Sequence, residues 1–160
     1  MKVDLIRFLQ LSVFVSLIFI LESLAPAQAQ LSETVIASAP APVAAPKRLV
    51  TLGGSVTEIV YALGAGHRVV ATDQSSLYPV QATQLPSVGY YRRVPIEGVV
   101  AMRPDVVLAS SHAGPPLALQ QIQDLGISLE LVSDEPNMPS LHNRIRQIAK
   151  VLNRQEAGEK

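Results

Sequence analysis

Apolar residues are spread unevenly along the 160-residue chain, and their spacing divides it into three stretches. The first dense block runs from Phe8 to Leu21 and is almost wholly apolar. Lys2 and Arg7 precede it; Glu22, Pro26 and the small-x-small triplet Ala27-Gln28-Ala29 follow it. Such a run falls short of the roughly 20 residues that span a bilayer. The layout predicts a cleavable secretory signal over residues 1–29, cut after Ala29, in preference to an uncleaved anchor. Residues 30–46 (QLSETVIASAPAPVAAP) carry little charge and no periodicity, which predicts an extended, disordered leader.

From residue 47 the pattern becomes regular. Leu49-Val50-Thr51-Leu52 is a buried-strand run ending at Gly53-Gly54. Ser55, with Glu58 three residues on, has capping-box spacing, and Val56, Ile59, Val60 and Leu63 recur at helical intervals before Gly64 and Gly66. A second strand is expected over 68–72, and then a loop over 73–87 with a helical turn. A very short third strand is expected over 88–90 and a helix from Pro95 to Met102. The run Asp105-Val-Val-Leu-Ala109 predicts a fourth strand. The next helix, 115–125, should turn Leu117, Leu119, Ile122 and Leu125 inward. A fifth strand follows over 128–132, and Ser140 should cap a last helix, 140–160, carrying Leu141, Ile145, Ile148 and Leu152. Alternation of this kind predicts an α/β fold, a Rossmann-like parallel sheet flanked by helices. The polar ending Ala157-Gly158-Glu159-Lys160 leaves the last helix nowhere to bury its apolar face, so the protein is expected to continue beyond Lys160.

Composition removes several function classes. There is no cysteine, hence no disulfide, thiolate catalysis or cysteine-held metal, and no acylated lipoprotein anchor. Thirteen basic side chains balance thirteen acidic ones, and with aromatic residues at 4% the chain lacks the footprint of a nucleic-acid binder. The mean hydropathy of +0.28 owes much to the N-terminal block.

Ligands of open α/β sheets lie beyond the carboxyl ends of the strands. Those ends carry Gly53-Gly54-Ser55, Asp73-Gln-Ser-Ser76, Gly89-Tyr-Tyr-Arg92, Ser110-Ser-His-Ala-Gly114 and Ser133-Asp-Glu135. The set is polar and glycine-rich, suited to binding and poor in paired general acids and bases. Neither a dinucleotide fingerprint nor a Walker lysine is present. The helix starting near Gly54 and Ser55 offers an anion site, or simply a tight turn. His67 and His142 read as surface residues, whereas His112 sits on a strand-end loop. Tyr90-Tyr91-Arg92-Arg93 is the most distinctive stretch. A tyrosine phenolate can ligate ferric haem iron, and a neighbouring arginine favours the phenolate by charge and hydrogen bonding. In an extended segment Tyr90 and Arg92 would share a face. On spacing alone, a packed tyrosine ring with a rim arginine explains the stretch better.

Four further passages change that balance. Arg48-Leu-Val-Thr-Leu-Gly-Gly-Ser-Val-Thr-Glu-Ile-Val-Tyr-Ala-Leu-Gly64 resembles the opening of the haem-binding periplasmic proteins of ABC importers. So do Asp73-Gln-Ser-Ser-Leu-Tyr-Pro79, Leu85-Pro-Ser-Val-Gly-Tyr90 and Glu97-Gly-Val-Val-Ala-Met-Arg-Pro-Asp105. The resemblance covers residues 47–160 and extends to carriers of cobalamin and ferric siderophores. It implies one of two α/β lobes: residues 47–139 as the N-terminal lobe, and 140–160 as the start of the rigid helix that connects it to a second lobe. It implies that Tyr90 is the axial haem-iron ligand and that Arg92 hydrogen-bonds it. From their strand-end placement Gly54, Ser55 and His112 are expected to line the ligand lip, and the resemblance implies that Glu97 docks onto a membrane permease. The implied protein is a monomeric periplasmic carrier, not an enzyme, that passes haem to an inner-membrane permease and ATPase. A corrinoid or siderophore cargo, a small secreted hydrolase using Ser55 or Ser111 with His112, and a truncated, inactive fragment are the competing expectations.

Overall fold

The computed structural model describes residues 44–159; the predicted signal over 1–29, and all of the predicted leader except residues 44–46, lie outside the described residues. Four parallel strands form one sheet: β1 (Leu49–Leu52), β2 (Val69–Ala71), β3 (Val106–Ser110) and β4 (Ser128–Val132), in the order β2-β1-β3-β4. The central pair runs in unbroken register, Leu49 opposite Val106 through Leu52 opposite Ala109.

Period-two alternation sorts the strand side chains onto two faces. Leu49, Val106 and Leu108 point to one side, where they meet Val56 and Val60 of helix α1 (Gly54–Ala62) and Leu63 at its end. Ile148, Ala149 and Leu152, from helix α4 (Met138–Val151) and its end, complete that layer. Val50, Leu52, Val107 and Ala109 point to the other side, against Val99 of helix α2 (Ile96–Ala101) and Leu119 and Ile122 of helix α3 (Pro116–Asp124). Each fully buried Leu, Ile or Val contributes about 1.5–3 kcal/mol of burial free energy. The two layers are therefore the main source of stability. Among the described residues no helix is long and apolar enough to cross a membrane.

Several expectations are corrected. The third strand over 88–90 does not form; isolated bridges, Thr72 to Ser87 and Tyr90 to Arg93, take its place. The segment returns beside β2 through the Val88 N–H donating to Thr72 C=O and the Gln74 N–H donating to Gly89 C=O, and then enters the Tyr90–Arg93 turn. Ser55 does not cap α1. The cap is Gly53, with no side-chain hydrogen bond, and Ser55 lies inside the first turn. Asn137, not Ser140, caps α4, its Oδ1 accepting from the Ser140 N–H. Leu117 and Leu125 face outward, while Ala118, Leu119 and Ile122 are buried. The stripe of α3 is thus rotated toward 118/119/122.

The last helix is also not continuous over 140–160. α4 stops at Val151, Asn153 adopts a left-handed φ of 55°, and a short helix α5 (Gln155–Gly158) folds back, with Arg146 Nε 3.2 Å from Glu159 Oε1. Of the apolar face expected to be left open, Ile148 and Leu152 are fully buried within this unit, whereas Leu141 and Ile145 are only partly so.

Candidate functional site

All four strands present their carboxyl ends to one edge, and the loops there are tied together by two aspartates. Asp73 follows β2 by two residues and is 2% exposed. Its Oδ1 accepts from the Gly53 N–H at 3.0 Å and the Ser76 hydroxyl at 2.8 Å. Its Oδ2 accepts from the Ser75 N–H at 3.0 Å, the Ser75 hydroxyl at 2.8 Å and the Tyr91 N–H at 3.3 Å. Three loops therefore converge on one carboxylate supplied only by neutral donors. Thr57 extends the network, its hydroxyl lying 2.7 Å from both the Thr51 and Ser76 hydroxyls.

Asp134 follows β4 by two residues. It accepts from the Ser55 hydroxyl at 3.2 Å and the Ser110 hydroxyl at 2.8 Å, and pairs with Arg144 Nη1 at 2.7 Å. Arg144 is buried and donates through Nε to the Ser133 carbonyl at 2.6 Å, so α4 is fastened to the same lip.

Gly53 and Gly89 allow the loops to come this close. Gly53 has φ 111°, and a Cβ there would lie 3.1 Å from Ser110 Cβ. Gly89 has φ 103°, and a Cβ there would lie 3.0 Å from Pro95 Cγ. Both positions demand a conformation that L side chains rarely adopt.

Beyond Gly89 the chain makes a tight turn, closed by the Arg93 N–H donating to Tyr90 C=O at 2.9 Å. Tyr90 is 44% exposed on this turn. Tyr91 is packed against the second apolar layer. The two rings meet edge to face, 5.0 Å apart. Arg92 Nε donates to Tyr91 Oη at 2.9 Å, and its guanidinium carbon stands 5.3 Å from the Tyr91 ring centroid. This phenol, foremost, and more weakly that of Tyr90, raise the already high pKa of Arg92. The extended segment expected to align Tyr90 with Arg92 is thus a turn, and the hydrogen-bond partner of Arg92 is Tyr91.

Gly54, Ser55 and His112 are all at the lip, but two of them are already engaged. The Gly54 N–H donates to Ser75 Oγ at 3.1 Å and the Ser55 hydroxyl to Asp134, so the anion site expected at the start of α1 has its first donors occupied. His112 is exposed, with Nδ1 3.9 Å from Asp134 Oδ2. The structure supplies the acid that the hydrolase expectation lacked. However, the Ser55 and Ser110 hydroxyls donate to that acid, and Ser111 Oγ accepts from the Asp134 N–H. That is a structural clasp, not an activated nucleophile. Glu97 is exposed in the first turn of α2. Among the described residues no group of three or more His, Asp or Glu could hold a metal ion.

Sequence reasoning had placed Asp73 and Asp134 at the strand ends without their role as hubs, and it missed Arg144. The signal was available. Arg144 interrupts the inward 141/145/148 stripe of α4, and a charge on an apolar face needs a buried partner.

These features define an α/β binding lobe with a loop-built lip. A sequence profile of the periplasmic binding protein family matches residues 49–160, and the chain belongs to that family. It is 29% identical over 114 residues to a vitamin B12-binding protein of Vibrio campbellii (strain ATCC BAA-1116), covering 71% of this chain and 41% of that protein. It is 36% identical over 105 residues to the uncharacterized ABC transporter substrate-binding lipoprotein YvrC of Bacillus subtilis (strain 168), covering 64% of this chain and 33% of that one. Among solved structures, a periplasmic heme binding protein from Pseudomonas aeruginosa superposes with a TM-score of 0.69 at 37% identity, over 71% of this chain and 41% of that chain. The chain thus spans less than half the length of each of these relatives. By their names these relatives are binding proteins.

Proposed function

We propose that the chain is the haem-capturing N-terminal lobe of a periplasmic carrier for an ABC importer, with Tyr90 as the ligand to ferric iron. The observation that carries this reading is the half-exposed Tyr90 phenol on a rigid turn at the carboxyl-end lip, with a guanidinium one residue beyond its neighbour. Iron lowers the pKa of a coordinated phenol, and a nearby cation favours the charged form further. Likeness to a heme binding protein at 37% identity supports haem as the cargo.

In this reading the export signal over 1–29 delivers the protein to the periplasm. Residues 140–160 lead toward a second lobe, which supplies the opposite wall of the cleft. Exposed His112 lies on the cleft rim, with Gly54 and Ser55 shaping the rim through their internal bonds. Glu97 on the outer surface docks onto the permease, whose ATPase drives uptake, and the carrier works as a monomer.

A cobalamin cargo is the second reading, favoured by the 29% identity to a B12-binding protein. Tyr90 would then pack against the corrin without ligating metal. Spectrophotometric titration with hemin, cyanocobalamin and a ferric siderophore separates the readings. We expect hemin to bind with a ferric tyrosinate-type visible spectrum and to resist displacement by the other two. Binding of cyanocobalamin, with hemin left free, would overturn the haem assignment.

A further inference from the structure

In the order β2-β1-β3-β4 the chain leaves β1 toward β2 on one side and later returns to β3 on the other. The loop after β1 leads to α1 on one face of the sheet, and the loop after β3 leads to α3 on the opposite face. Between two such diverging loops lies the crevice in which open α/β sheets bind ligands. At its floor the two loops touch, since a Cβ on Gly53 would lie 3.1 Å from Ser110 Cβ. Above that floor the β3 loop runs Ser111-His112-Ala113-Gly114-Pro115, and His112 is its one ionisable side chain.

A single carboxylate oxygen fixes this histidine twice. The His112 N–H donates to Ser110 Oγ at 3.1 Å, and the fully buried Ser110 hydroxyl donates to Asp134 Oδ2 at 2.8 Å. The imidazole Nδ1 stands 3.9 Å from that same Oδ2. The charged groups set against the ring are thus Asp134, from the loop after β4, and behind it Arg144 of α4, whose Nη1 is 2.7 Å from Asp134 Oδ1. The start of α1 brings the neutral Ser55 hydroxyl, which also donates to Asp134. Asp134 is therefore well supplied with donors, and its separation from the imidazole is longer than a hydrogen bond. With Nδ1 turned to the carboxylate, Nε2 lies on the far side of the ring, and 43% of the side chain is exposed.

We propose that His112 is the contact for a carboxylate of the cargo: with Asp134 behind the ring, the imidazolium Nε2–H donates from the crevice to an anionic side group of the tetrapyrrole. The inference rests on the haem reading above and adds a second, peripheral contact to it. A carboxylate behind the ring and another in front both favour the charged imidazolium, whose two nitrogens are both donors. The contact selects a tetrapyrrole edged with carboxylates over one edged with neutral amides, which makes His112 a specificity residue. It takes no part in holding iron.

The test compares hemin with hemin dimethyl ester, which keeps the iron and macrocycle and lacks the ionised propionates. Both are titrated at about pH 6, where an ordinary imidazole is largely charged. Far-UV circular dichroism checks the fold of each variant. The unaltered protein should prefer hemin about three- to tenfold, the scale of one charge-assisted hydrogen bond at an exposed rim. His112→Gln should reduce that preference to less than about twofold by weakening hemin alone, and His112→Lys, which restores a cation, should return most of it. The visible spectrum of bound hemin should be the same in all three proteins. No preference in the unaltered protein, a preference that survives His112→Gln, or one that His112→Lys fails to restore would overturn the carboxylate contact and leave the haem reading standing. Failure of the unaltered protein to bind hemin would overturn both.

Discussion

Asp73 and Asp134 occupy equivalent places on opposite sides of the sheet. Each stands two residues beyond an outer strand, β2 and β4, and each reaches inward to the loop that follows the neighbouring central strand, Gly53 after β1 and Ser110 at the end of β3. Their partners differ in kind. Asp73 is ringed by five neutral donors and binds backbone at three of them. Asp134 gathers two hydroxyls and a buried guanidinium. The Asp73 side fixes the course of the chain, including the turn that displays Tyr90. The Asp134 side fixes a helix, and in doing so occupies the hydroxyls that would otherwise be the candidates for chemistry. In the proposed reading the Asp73 side is the one that binds the iron, because the turn it anchors leaves the Tyr90 ring exposed.

The sharpest way to break this contrast is Asp73→Ala. It strands the buried Gly53 and Ser76 donors and releases the Tyr91 N–H. An unfolding free-energy loss of about 3 kcal/mol is expected in denaturant titrations, with hemin binding impaired as well because the turn loses its anchor. Arg144→Met comes next, at about 2 kcal/mol, since Asp134 keeps its two hydroxyl donors and some solvent. Here hemin binding should survive, and the double variant Asp134→Asn/Arg144→Met should recover part of the loss. Equal damage to hemin binding from both single variants would erase the distinction between the two sides. His112→Ala should cost less than about 0.5 kcal/mol, its imidazole being exposed and 3.9 Å from the carboxylate.

The smallest effect lies at the opposite end of the sheet. Hydrogen bonds from the Lys47 and Arg48 backbone N–H groups hold the pKa of Asp105 below the ordinary carboxylate value. Its contribution is present above the unfolded-state pKa and is lost as pH falls through the lower folded value. Asp105→Asn should therefore lower stability slightly in the neutral region and flatten the acid limb, the two proteins converging once pH falls below the folded pKa, as thermal melts across that range would show.

The sheet and its flanking helices were legible because continuous runs such as Val106–Ala109 and helical repeats such as Val56/Val60 reflect burial directly. What misled was local chemistry that tertiary contacts override. Ser55 has capping-box spacing, yet its hydroxyl is drawn 79 positions along the chain to Asp134, and glycine begins the helix. Val88-Gly89-Tyr90 has strand composition, but Gly89 takes a positive φ and the chain closes at once into the Tyr90–Arg93 turn, leaving isolated bridges in place of a strand. The stripe of α3 was misread because Leu117 is as apolar as Leu119, and periodicity alone does not choose between registers one residue apart. Tyr90 was visible as a candidate through resemblance and its strand-end position. The capture of Arg92 by Tyr91 was not, because a turn and an extended segment have the same sequence until the Tyr90–Arg93 closure is known.

The central claim is that one phenolic oxygen at position 90 takes the iron. Its most direct measurement is the visible spectrum of the hemin-bound chain compared with Tyr90→Phe, the fold of both being checked by circular dichroism. The tyrosinate-type charge-transfer band should be present in the unaltered protein and absent in the variant, with hemin affinity lowered at least about tenfold through the lost metal bond. An identical spectrum and affinity in Tyr90→Phe would contradict it.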